Sequence, residues 1–171
     1  MEELTTDQSS LKYKLNVEWT IWSHLPHDTN WTEDSYKKIM DITHVEEIIS
    51  LYETISDKLI KNCMLFIMRR GIKPIWEDPQ NKEGGCFSFK INNKSIVPIW
   101  KKLTYALLGE NISKNADFRN NVNGITISPK KNFCIIKIWL KDCKINNNDD
   151  INLETGLPVV GCLFKKHLID T

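Results

Sequence analysis

The chain has 171 residues, enough for one domain that buries about two thirds of the surface its unfolded form exposes. Its 23 Lys and Arg face 22 Asp and Glu, a formal net charge of +1, which excludes the broad basic field of a non-specific nucleic-acid coat and confines any nucleic-acid recognition to a local site. Five cysteines without a C-x-x-C pair, together with no apolar run of about 18 residues, lead to the expectation of a reduced, soluble, cytoplasmic protein.

Residues 1–10, "MEELTTDQSS", carry no apolar period and read as a disordered tail, so a single domain is expected over 11–171. "LNVEWTIW" alternates Leu15, Val17, Trp19 and Ile21 against Asn16, Glu18, Thr20 and Trp22, a strand pattern that ends at the proline-broken "SHLPHDTN". "THVEEIISLYETISDKL", 43–59, opens with Thr43-x-x-Glu46 at capping-box spacing and places Ile48, Leu51, Ile55 and Leu59 on one helical stripe. "CMLFIMRRG" and "GCFSFKI" read as strands on either side of a polar loop. A second helix, "VPIWKKLTYALLGE", has Pro98 in its first turn and Gly109 near its end. "GITIS", "FCIIKIWL" and "LPVVGCLF" read as further strands, with "NNNDD" as a loop before the last. The class is therefore α+β, a curved antiparallel sheet with helices on one face, which leaves the concave face open to a ligand.

Enzyme classes lack their parts. There is no G-x-S-x-G, Walker loop or H-E-x-x-H, and His24, His27, His44 and His167 are scattered along the chain. Neither a metal nor a cofactor is expected. Tryptophan carries the signal, with six at positions 19, 22, 31, 76, 100 and 139. Trp19 and Trp100 sit on apolar faces and read as core. Trp31 and Trp76 sit in polar, proline-containing loops, where an indole adds little to folding and a binding group is expected. Two such rings suit a flat ligand, and Glu77 beside Trp76 can accept paired N–H donors from the edge of a guanine.

The segment "GIKPIWEDPQNKEGG", together with Trp19-x-x-Trp22, Trp31, "WKKLTYALLGE" and "IKIW" ending at Trp139, resembles in order and spacing the eukaryotic translation initiation factor 4E family, the mRNA cap-binding proteins. The resemblance covers about residues 13 to 165. It implies that Trp31 and Trp76 sandwich 7-methylguanine, that Glu77 accepts its N1 and N2 hydrogens, and that Trp139 meets the methyl group. N7 methylation makes the base cationic, which adds a cation–π term to stacking. The partners it implies are capped mRNA and, on the helical back, a scaffold or repressor peptide.

Two departures stand out. Where the family places an arginine after Gly-Gly, this chain has Cys86, and of two further basic phosphate positions one is Lys130 and the other Ile135, with Lys137 nearby as a replacement. On the helical back, the groove residues Val45, Ile49, Lys101 and Tyr105 include Ile49 where the family carries an exposed tryptophan. These losses suit a divergent, viral or unicellular member, and a monomer is expected. Two other readings compete. A cap-processing hydrolase needs clustered carboxylates for a metal, which Glu77, Asp78 and Glu83 on one loop do not supply. A scaffold that has lost cap affinity sits badly with the retention of Trp31, Trp76, Glu77 and Trp139. Within cap binding, recruitment for translation and repression by sequestering the cap both remain open.

Overall fold

The computed structural model describes residues 11–168, and the expected disordered tail lies outside them. Seven strands pair antiparallel in one sheet: β1 Lys14–His24, β2 Tyr36–His44, β3 Met64–Arg69, β4 Gly85–Asn92, β5 Val122–Pro129, β6 Phe133–Leu140 and β7 Leu163–Lys166, in the order β2-β1-β3-β5-β6-β4-β7. The helices are α1 Val45–Thr54, α2 Asp57–Asn62, α3 Ile96–Leu108 and α4 Ala116–Asn121.

Register explains the two faces. Met40, Ile21, Ile67, Ile125, Ile138, Phe87 and Phe164 are successive cross-strand partners over all seven strands. Direct partners project to the same side, so this row is a continuous apolar band. The band joins one core with Ile48, Leu51, Ile96, Trp100, Leu103 and Phe118 from the helices. Trp19 and Trp100 are buried as expected, and truncating either ring costs about 3–5 kcal/mol. One residue along, the other face presents Phe66, Met68, Cys86 and Trp139, which form a second, smaller cluster with Ile72. The fold class read from the sequence, a curved antiparallel sheet with helices on one side, is the fold found.

Several element boundaries differ. The helix expected over 43–59 is two helices. Ile55 is extended (φ −78°, ψ 143°), and Ser56 caps α2 by accepting the Leu59 N–H. The start of α1 also moves: Thr43 belongs to β2, and Glu47, not Glu46, accepts the Thr43 and His44 N–H groups at 2.7 and 3.0 Å. Glu46 instead accepts the N–H groups of Lys12 and Tyr13. Strand β2 escapes the sequence reading because it is an edge strand whose Lys37, Lys38 and Ile39 are all exposed, which blurs the alternation. The last strand begins six residues later than "LPVVGCLF" suggests. Gly156 and Gly161 take left-handed φ of 79° and 80°, so Leu157 and Val159 pack inward from a turn rather than a strand.

Candidate functional site

The loop joining β3 to β4 sorts its polar residues by role. Asp78 is buried, and its carboxylate accepts the N–H groups of Lys73 and Gln80 at 2.9 and 2.8 Å. Asn81 is fully buried and donates to the carbonyls of Lys73 and Ile75. Asn123 of β5 donates in turn to the Gln80 carbonyl and the Asn81 side chain. Every short polar side chain thus clamps backbone, and the loop is a fixed platform rather than a solvated turn. Trp76, by contrast, is 51% exposed on this platform, with Glu77 exposed next to it. The Glu77 charge reaches the concave face: after burial, it is what pushes the Tyr36 hydroxyl up, and it also acts on His167.

Trp31 is 57% exposed in the β1–β2 loop. One face of its indole lies on His24, with ring centroids 4.0 Å apart and planes 4° from parallel. His24 is buried and is held by the Asn30 carbonyl at 2.7 Å. A carbonyl only accepts, so Nε2 carries the hydrogen. Aromatic contacts continue across the concave floor: His24 meets Tyr36 edge-on at 5.1 Å, Tyr36 meets Phe66 at 5.4 Å, and Phe66 meets Trp139 at 6.5 Å. The loops bearing the two exposed indoles are tied by an ion pair between Lys73 and Glu33.

Trp139 is buried, and its Nε1–H donates to Thr126 Oγ1 at 2.7 Å. It lines a cavity of about 290 Å³ with Trp76, Cys86, Ser88, Lys137, Lys165, Lys166 and His167. Trp31 lines a different cavity, of about 730 Å³, beside Lys130, Lys131 and Met64. Of the residues expected to meet phosphate, Lys137 therefore shares a cavity with Trp76 and Trp139, while Lys130 lies beside Trp31. His167 Nδ1 is 2.6 Å from the Asn81 carbonyl and must be the donor there, which leaves Nε2 to accept the Cys86 S–H at 3.0 Å. Burial, with the nearby Lys137 charge, holds the His167 imidazole below its usual range against the opposing pull of the Asn81 carbonyl and Glu77. Burial pushes the Cys86 thiol up to about 12. The pair is neutral, with no thiolate to act as a nucleophile.

On the helical side, Val45, Ile49 and Tyr105 line a groove of about 510 Å³ with Leu15, Ile48, Leu108 and Gly109. Lys101 does not line it. Its Nζ lies 3.8 Å from Asp57 of α2 and sits over the Tyr52 ring. Among the described residues no group of three or more His, Cys, Asp or Glu could hold a metal, and no helix is long and apolar enough to cross a membrane. The sequence reading missed His24, Lys165 and His167. Single histidines and lysines carry no local signature, and only register and packing bring these three to the concave face.

Residues 14–158 match the family model for eukaryotic initiation factor 4E. The initiation factor 4E of Candida albicans is 32% identical over 186 aligned positions, which cover 98% of this chain and 83% of that protein. Ascaris suum eIF4E-3, solved with an m7G cap, superposes with a TM-score of 0.76 at 20% identity, covering 92% and 93% of the two chains. C. elegans eIF4E-3, solved with the 4E-binding protein Mextli and a cap analog, gives 0.69 at 25% identity over 84% and 81%. The curved seven-stranded sheet is thus shared with these factors, and the sequence match extends over most of the chain: it belongs to the eukaryotic initiation factor 4E family.

Proposed function

We propose that the concave face holds the 7-methylguanine of an mRNA cap between the free face of Trp31 and the Trp76 ring, with Glu77 accepting the guanine N1 and N2 hydrogens and Trp139 bordering the methyl group. As a member of this family the chain is a cap-binding factor of translation initiation and not an enzyme, and its place of action is the cytoplasm. What carries the reading of the site is the contrast along one loop: Asp78 and Asn81 are buried and bound to backbone, while Trp76 and Glu77 stand exposed on the platform they build. Half-exposed indoles that the core does not use are suited to stack a cationic base, at about 1–3 kcal/mol per stacked base before the charge contributes. Unmethylated guanine lacks that charge and binds more weakly. The groove lined by Val45, Ile49 and Tyr105 is the surface for a helical partner of the 4E-binding kind. Retention on 7-methyl-GTP resin with elution by 7-methyl-GTP and not by GTP tests the reading; equal elution by both nucleotides refutes it.

A further inference from the structure

We propose that Lys165 of β7 and Lys137 of β6 form a two-lysine clamp, on either side of β4, for the phosphate chain of the nucleotide whose base occupies the indole slot. The inference rests on the cap-binding reading above and assigns the charge that Cys86 and Ile135 do not supply. It begins from register. Cys86 lies between Trp139 on β6 and Lys165 on β7, and Ser88 lies directly opposite Lys137. Direct partners share a face, so Lys137, Ser88, Trp139, Cys86 and Lys165 all project to the concave side. The two lysines are diagonal across β4, two strand spacings or about 10 Å apart in the direction of pairing. Long flexible stems bring both ammonium groups onto one polyphosphate lying over Ser88 and Cys86. Both lysines line the cavity that Trp76 and Trp139 also border, so an anion there is next to the stacked base.

Charge and geometry agree. Among the described residues neither lysine has a carboxylate within 4.0 Å, so no described acid competes with an anionic ligand for them. The floor between them does not repel an anion, because the Cys86 thiol and the His167 ring are neutral and bonded to each other. Lys137 acts on both groups, after burial, in the direction a positive cavity requires. The Gly84-Gly85 pair then has a structural purpose. A side-chain carbon on Gly84 would overlap the Leu140 carbonyl, and one on Gly85 would lie 2.6 Å from the Lys165 carbonyl. Gly85 is what lets β7 close onto β4 and bring Lys165 to the site, while Gly84 admits the Leu140 carbonyl at the end of β6.

The test compares 7-methyl-GTP with the 7-methylguanosine nucleoside by fluorescence titration of the full chain. Variants are Lys165→Ala, Lys137→Ala, the double substitution, Lys165→Arg, and Lys94→Ala as a surface control. Lys165→Ala should weaken 7-methyl-GTP about 5- to 20-fold, as expected on losing a charge-assisted contact that is partly solvent-screened. The nucleoside should change less than about twofold. Lys165→Arg should restore most of the triphosphate affinity, and the double variant should bind the triphosphate little better than the nucleoside and with less dependence on salt. If Lys165→Ala leaves triphosphate affinity unchanged while the nucleoside still binds, the clamp is wrong and the indole slot stands. If the unmodified protein binds neither ligand, the slot itself is wrong and the clamp falls with it.

Discussion

Trp31 lies flat on His24, its ring 4.0 Å away and 4° from parallel, so one exposed indole of the site has a rigid, buried backing. His24 is in turn fixed by the Asn30 carbonyl one residue before Trp31 and by the edge of Tyr36. A pre-positioned ring saves the ordering cost that a loose loop would meet on binding. His24→Ala should therefore weaken 7-methyl-GTP several-fold without touching the ligand and raise the mobility of Trp31, read as lower fluorescence anisotropy at that indole. His24→Phe keeps a ring for stacking and should retain most of the affinity. Equal losses in both variants would show that the hydrogen bond to Asn30, not the stack, does the positioning.

Neighbouring acids on the Trp76 loop should separate by assay. Trp76 and Glu77 are exposed, so Trp76→Ala and Glu77→Ala should shift stability by no more than about 0.5 kcal/mol. Each should lower 7-methyl-GTP affinity about 10- to 100-fold, from a lost stacking platform and a lost charged acceptor respectively. Asp78→Ala removes a buried acceptor of two backbone N–H groups. It should cost roughly 1–3 kcal/mol of stability and lower the thermal midpoint, with binding lost only as the platform loosens. Chemical denaturation alongside nucleotide titration distinguishes the two patterns; a stable Asp78→Ala protein with selective loss of binding would contradict this division.

That division also marks what the sequence could convey. The exposure of Trp31 and Trp76 was legible because their loops are polar and broken by proline, and the burial of Trp19 and Trp100 because they fall on apolar periods. The difference between Glu77 and Asp78 was not legible. Both are acids beside an indole, and only the backbone N–H groups of Lys73 and Gln80 closing onto Asp78 separate them. Strand β2 was hidden by exposed Lys37, Lys38 and Ile39, and the break at Ile55 by an apolar stripe that runs on through two helices. Lys165 could not be singled out at all, since its place beside Cys86 is a matter of register between strands far apart in the chain. Local pattern specifies faces, whereas long-range pairing specifies neighbours.

His167 gives the site a pH dependence of defined sign. Its folded value lies below the ordinary 6.5, so the unfolded chain takes up a proton first as pH falls. The stability associated with the neutral ring is fully present above about pH 6.5 and is lost as pH drops through the folded value. Protonation also removes the acceptor that Nε2 offers the Cys86 thiol. The thermal midpoint should fall between pH 7.5 and 5 more steeply in the unmodified protein than in His167→Gln, which has no such titration. Asp41, whose Thr20, Lys38 and Arg70 contacts hold its carboxyl below the usual range despite some burial, titrates lower and leaves this window clear. Parallel curves for the two proteins would rule out His167 as the linked group.

The groove on the helical side leads to a prediction about partners. Ile49 and Tyr105 are 41% and 43% exposed and border an apolar groove with Val45 and Leu108, but the aromatic anchor expected from the family resemblance is absent. Aromatic anchors dominate such interfaces, often at 2 kcal/mol or more. A peptide from a 4E-binding protein should accordingly bind this chain at least about tenfold more weakly than it binds a relative carrying the tryptophan. Ile49→Trp should recover much of that difference, and because position 49 is exposed the substitution should leave stability nearly unchanged. Charge should matter less than the sequence suggests. Lys101 faces Asp57 and the Tyr52 ring instead of lining the groove, so making the peptide more acidic should help only slightly and only at low salt. Calorimetric titration of both proteins with one peptide and its acidic variant decides the matter: if acidity rather than Ile49→Trp restores affinity, Lys101 turns toward the ligand on binding, and recognition by this groove is electrostatic.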